Sequence, residues 1–420
     1  MKHQPFVCLG TLVLMAAACL AQGGAQAVQP GRYVTLVPEL ADMPAPDWVK
    51  AGVRLSFYGA AASTNESRYA LVEDPEGPWV DKKTGKHYRD NAQSGTENPT
   101  ASGEGFTQID IISVEGKTVV SMAQLYLLIR SSGALYAVGA GMPEVATAAN
   151  LDDYWVHPKA LEKLVGLDMD GLRVVRGPVK VGERTYDAIC IESNLGGSYS
   201  LNTYDAETGI LLKAMSNTAG QFDPVKLPTD ITPRQGNTQR TMTVLAGVRQ
   251  LDAAIAARPV PEWVGKAQAM TYAGTTRAMN PVDGSFLGDY PTQFEATLGV
   301  RGAGWCSYRT AMQMSIGGMQ NASENVGVAG GVGGFWADPK ALAGFKEGAV
   351  LDNDPVTGMR VTVGGTGTGP NGQPTIALVT ANSTVSTTGI YDLATGTLVQ
   401  CEVANRATGM TVQLGLQSVR

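Results

Sequence analysis

The sequence predicts a mainly β protein made of two homologous antiparallel β meander units, half-barrel or barrel-like, each with one short helix. Three observations predict it. Ordered blocks of sequence occur twice along the 420 residues, strand-like alternation dominates, and an Asp-x-x-Thr-Gly motif starts at Asp81, Asp205, Asp354 and Asp392. In such a motif the Asp accepts hydrogen bonds from the turn backbone, and the Gly supplies the positive φ that closes a hairpin into a bulge. Composition agrees: 44% hydrophobic and 17% charged residues, with 51 glycines, suit a folded, turn-rich chain and not a disordered one. A net charge of −6 without any basic run leaves no electrostatic footprint for nucleic acid.

In chain order, residues 1–27 have the form of a secretory signal peptide. Lys2 and His3 make the basic start, Phe6 to Leu20 is apolar, and Ala25-Gln26-Ala27 is a small-x-small cleavage site that places the mature start at Val28. The run is short for a membrane anchor, and no later stretch is apolar for long enough to cross as a helix. Cys19 is the alternative attachment point, a lipid anchor, although Ala16 stands where an aliphatic residue belongs. The expected compartment is therefore periplasmic, secreted or cell-surface. Residues 28–43 form an N-terminal leader.

The duplication occupies 44–251 and 259–420, joined by a linker, 252–258, too short to be a free tether. Pro44-Ala45-Pro46-Asp47-Trp48-Val49 returns as Pro259-Val260-Pro261-Glu262-Trp263-Val264. Arg54-Leu55-Ser56-Phe57-Tyr58 is matched by Ala269-Met270-Thr271-Tyr272-Ala273. Trp155 to Leu161 returns as Trp336 to Leu342, Tyr204 to Gly209 as Tyr391 to Gly396, and Met242-Thr243-Val244 as Met410-Thr411-Val412. The blocks keep their order, which chance does not produce. Copy one is longer, through a polar insertion at 74–105 and a Pro-rich stretch between Ser216 and Arg240. Copy two lengthens the Gly-rich loop Gly364 to Gly372. The helix of each copy follows His157 or Asp338 at an N-cap, with Pro158 or Pro339 at the first helical position.

The cysteines left after signal cleavage are Cys190, Cys306 and Cys401. The repeat aligns Cys306 with Val120 and Cys401 with Ala214, so both are private to copy two. In an oxidising compartment this suggests a Cys306–Cys401 disulfide, and two small apolar replacements are the competing reading.

Catalytic constellations are scarce. There is no Gly-x-Ser-x-Gly and no His-Glu-x-x-His, and His87 and His157 each occur in one copy only. Gly367 to Gly372 matches Gly-x-Gly-x-x-Gly but leads into the strand Thr375 to Thr380, not into the helix a dinucleotide site needs. No cofactor is expected. Asp168 with Asp170, and Asp352 with Asp354, are calcium candidates, although calcium asks for six or more oxygens and turn chemistry also explains them. Trp155 and Trp336 are the ligand-stacking candidates, with core packing the alternative.

The Tyr-Asp-x-x-Thr-Gly-x-Leu hairpins, Tyr204 to Leu211 and Tyr391 to Leu398, together with the leader and a strand opening after a Trp, resemble periplasmic lipoprotein-carrier proteins. That resemblance implies an incomplete barrel around an apolar cavity and carries over no functional residue. The Pro-x-Pro-acid-Trp-Val opening also resembles an exported bacterial family of unknown function. The first functional expectation is a non-catalytic exported protein that binds an apolar, lipid-like or extended ligand. The alternative is a structural or adhesive cell-surface module, and a hydrolase is third. A unit interior filled by its own side chains would favour the module.

Overall fold

In a computed structural model the described residues are 33–420, apart from 69–70, 78, 81–83, 91–95, 130–132, 138–141, 152, 170, 196–197, 220–233, 257, 281–283, 317–318 and 407. The signal peptide, Cys19, the start of the leader, Asp81 and Asp170 lie outside them.

The chain is mainly β, with two large antiparallel sheets of the same layout. Repeat one contributes β1 (Val53–Arg68), β2 (Thr96–Glu115), β3 (Thr118–Ile129), β4 (Met142–Thr147), β5 (Leu172–Val181), β6 (Arg184–Leu195), β7 (Ser198–Asp205), β8 (Leu211–Ala219) and β9 (Arg234–Gln250). The sheet order is β5-β6-β7-β8-β9-β1-β2-β3, with Asp168–Met169 on β5, and both Ala134–Ala137 and β4 on β3. Repeat two contributes β10 (Ala269–Met279), β11 (Phe286–Arg301), β12 (Cys306–Ile316), β13 (Met319–Ala329), β14 (Val350–Asn353), β15 (Arg360–Thr368), β16 (Pro374–Ala381), β17 (Val385–Asp392), β18 (Leu398–Asn405) and β19 (Met410–Val419). Its order, β14-β15-β16-β17-β18-β19-β10-β11-β12-β13, is the same path. Neither sheet closes on itself, so the closed-barrel version of the expectation is excluded.

In both repeats the chain enters at mid-sheet, runs out to one edge, crosses over, and returns from the opposite edge until its last strand pairs with its first. The crossover is the Trp-containing block. It carries α1 (Pro158–Leu164) in repeat one and α2 (Pro339–Gly344) in repeat two. His157 Nδ1 accepts from Lys159 N at 3.2 Å, and Asp338 Oδ1 accepts from Lys340 N at 3.1 Å. Both therefore act as the N-caps their positions suggest.

Compactness does not follow the repeat boundaries. One compact unit holds the residues through Phe57, Gly105–Asp152 and Ala246–Arg420; the other holds Tyr58–Glu104 and Asp153–Leu245. The long strands β1, β2 and β9 each belong partly to both. The first unit thus joins the central strand ends of repeat one to the whole of repeat two, and the leader is part of it. Tyr33, Val37 and Leu40 of that leader are buried. The linker forms a turn, with Ile255 and Ala256 N–H donating to Asp252 O.

Candidate functional site

Trp155 and Trp336 are the two largest fully buried side chains among the described residues, at 0% exposure each. They occupy the same place. Trp155 bridges to Ile210 and Trp336 to Thr397, each just before the strand that follows the Tyr-Asp hairpin. The flanking bonds repeat too: Val156 N to Gly209 O matches Ala337 N to Gly396 O, and Leu211 N to Tyr154 O matches Leu398 N to Phe335 O. Gly209 (φ 75°) and Gly396 (φ 72°) need glycine twice over, because a Cβ would also collide with the carbonyl oxygen of Val156 or Ala337. Trp336 Nε1 donates to Gly330 O at 2.7 Å, and its ring meets Tyr308 edge-on at 6.0 Å. Around it pack Val264, Leu298 and Cys306. Burying such a side chain removes about 150–250 Å² from water, about 4–6 kcal/mol of transfer free energy. The ligand-stacking expectation is corrected: these rings fill the crossover corners.

The interior of the repeat-two sheet is filled the same way. Met270, Tyr272, Ile376, Leu378, Tyr391 and Leu398 form one cluster with Leu342 of α2. The tyrosine hydroxyls are satisfied: Tyr272 donates to Leu398 O at 3.1 Å, and Tyr391 to Gly333 O at 3.2 Å. Burial pushes both phenols well above the ordinary tyrosine range, with Tyr391 and Cys401 adding to the effect at Tyr272 and Cys401 at Tyr391.

The acidic pair of repeat two meets arginines. Arg54 on β1 grips Asp110 on β2 with two bonds, Nε at 2.5 Å and Nη2 at 2.7 Å, and reaches Asp354 with Nη1 at 2.9 Å. Arg249 on β9 grips Asp352 with two bonds, at 2.5 and 2.9 Å, and donates to Asp354 at 2.8 Å. Gln108 links Asp354 (2.7 Å) to Ser56 (3.1 Å). The other Asp354 oxygen accepts from Val356 N and Thr357 N at 2.8 and 3.0 Å, the turn role its motif predicts. Asp354 has no exposed side-chain surface and Asp352 only 8%. Burial alone would raise the Asp354 carboxyl, but hydrogen bonds from Thr357, Gln108, Arg54 and Arg249 outweigh it and hold the group well below the usual range. Burial likewise opposes the charge on Arg54, and Asp110 and Asp354 overcome it. Tyr126 nearby is pushed up to about 12, chiefly by burial.

A divalent cation at Asp352 and Asp354 would face two guanidinium groups, so the calcium expectation there gives way to an ion-paired seam joining the repeats. Asp168, the described member of the other pair, is exposed on its short strand. The disulfide expectation is also corrected. Cys190, Cys306 and Cys401 are free thiols. Cys306 starts β12 and Cys401 lies on β18, with β11, β10 and β19 between them. At about 4.8 Å per strand that is about 19 Å, far beyond a disulfide's reach.

The sequence reading misses Arg54, Gln108, Asp110 and Arg249. The available signal is asymmetry between copies: Arg54 aligns with Ala269, a charge present in one repeat and missing from the other. No protein-family model and no curated protein matches this chain.

Proposed function

We propose that the protein is a non-catalytic exported scaffold, a structural or adhesive module that works through its outer faces and hairpins and not through an internal ligand. The observation that carries this reading is the pair of corner tryptophans, both fully buried. With the repeat-two cluster they are interior space filled by the protein's own side chains, which favours the module. The buried ion-paired seam supports it further, since a bidentate, desolvated network specifies one arrangement of strands and turn more than it adds stability.

The second reading, an apolar or lipid-like ligand, keeps one observation in its favour: neither sheet closes, as in the carriers the hairpins resemble. Native mass spectrometry of the protein purified from its own host, without detergent, separates the two. The scaffold reading expects the bare polypeptide mass. A co-purifying adduct released by organic extraction would restore the carrier reading. N-terminal sequencing of the same sample tests export, with Val28 as the expected first residue.

A further inference from the structure

Two adjoining depressions lie on the outer face of the repeat-two sheet, of about 490 and 260 Å³, and they share Thr275 and Gln413. The larger crosses β10, β19, β18 and β17, neighbours in the sheet, and the smaller reaches Asp289 on β11. The larger falls within the size range of small-ligand sites. Its floor is low because Ala273 and Gly415 stand opposite each other across β10 and β19. Its walls mix hydrogen-bonding groups, the Gln400 and Gln413 amides, the Thr275 and Thr388 hydroxyls and the Glu402 carboxylate, with the apolar side chains of Ile390 and Leu414.

Its charged groups have hydrogen-bond partners. At one end Arg277 is bound to Asp289 by two bonds, 3.0 and 3.2 Å, and lies over the Phe286 ring at 5.7 Å. Glu402 accepts from Gln413 Nε2 at 2.8 Å. Thr275, Thr388 and Gln400 make no side-chain hydrogen bond among the described residues, which leaves donors and acceptors mixed along the trough. A phosphate or nucleic acid would want uncommitted cations there, and a lipid would want an apolar wall.

At one cross-strand pair the two repeats differ in polarity. Glu402 faces Gln413 across β18 and β19, whereas in repeat one Met215 faces Met242 across β8 and β9. A fold that tolerates methionines at this place does not require a carboxylate and an amide.

We propose that this trough binds a neutral, polyhydroxylated chain, a short stretch of polysaccharide lying across the four strands. Sugar hydroxyls donate and accept at once, and mixed amide, hydroxyl and carboxylate groups match them. The proposal rests on the adhesive reading above and names its ligand class.

The test is affinity electrophoresis of the mature full-length protein in gels containing dextran, laminarin, xylan or hydroxyethylcellulose, with titration calorimetry using the matching tetrasaccharide. At least one polymer should retard the protein. Gln400→Ala with Gln413→Ala should weaken binding at least tenfold at an unchanged melting temperature, and Met215→Ala should leave it unchanged. No retardation in any gel, or equal binding by the double variant, overturns the trough. Co-sedimentation with cell envelopes from the host separates the two levels. Envelope binding that survives the double variant overturns the trough alone, and envelope binding absent from the wild type overturns the adhesive reading with it.

Discussion

The two crossover corners and the two acidic turns of this duplicated chain have diverged to different degrees. Trp155 and Trp336 keep the same burial, bridge and flanking bonds. The turn regions do not: Asp352 and Asp354 are locked to Arg54 and Arg249, while Asp168 lies exposed. The corner solves a problem each sheet has by itself, carrying the chain from one edge to the other over a core it must fill. The seam solves a problem only the pair has. Copy one supplies both arginines together with Asp110, and copy two supplies Asp352 and Asp354, so identical copies would not serve.

The largest test of this contrast is Trp336→Ala beside Trp155→Ala. Each should cost about 3–5 kcal/mol in denaturant unfolding, because each leaves a cavity that its surroundings cannot collapse to fill. Markedly unequal losses would break the equivalence of the corners.

Next comes Arg54→Ala, which removes the two-bond partner of Asp110 and one of the two guanidinium groups that hold the fully buried Asp354. A loss of about 1.5–3 kcal/mol is expected, against less than about 0.5 kcal/mol for Asp168→Asn on the exposed counterpart. Similar small losses from both would mean the seam carries nothing.

The acid limb sharpens the same point. Asp354 has a folded value below its unfolded one, so its contribution is present above about pH 4 and is lost as pH falls below that toward the folded value. Wild type should lose stability steeply below pH 4 in urea titrations. Asp354→Asn should flatten that limb while lowering stability at pH 7.

Thiol chemistry gives a smaller effect. Cys190, Cys306 and Cys401 should all react with a thiol reagent in denatured, unreduced protein, and reductant should not move the melting temperature. Burial, helped by Glu402, pushes the Cys401 thiol up to about 11. The fold prefers the neutral thiol, so this contribution is complete below about pH 8.5 and is lost as pH rises toward 11. Cys401→Ala should remove that high-pH loss.

Smallest is His157→Asp, which gives repeat one the cap that repeat two already has. Thermal unfolding should show a gain of up to about 1 kcal/mol, since a carboxylate caps and also complements the helix N-terminus. A loss would show that the two caps are not interchangeable.

By itself the sequence determined the duplication, the β class, the hairpin positions and both caps. These depend on residues close together in the chain: Asp205 with Thr208 and Gly209, Asp392 with Thr395 and Gly396, His157 with Pro158. Backbone φ, turn hydrogen bonds and capping are local, so a short window contains all their partners. What only the tertiary structure decided joins distant residues. Arg54 meets Asp354 across 300 positions, Arg249 meets Asp352 across 103, and Cys306 is kept from Cys401 by three intervening strands. Strand order and register choose those neighbours, and they answer to the packing of whole faces. No single residue states that choice, which is why the aspartates read as turns and calcium candidates in the sequence and as one side of a seam in the fold.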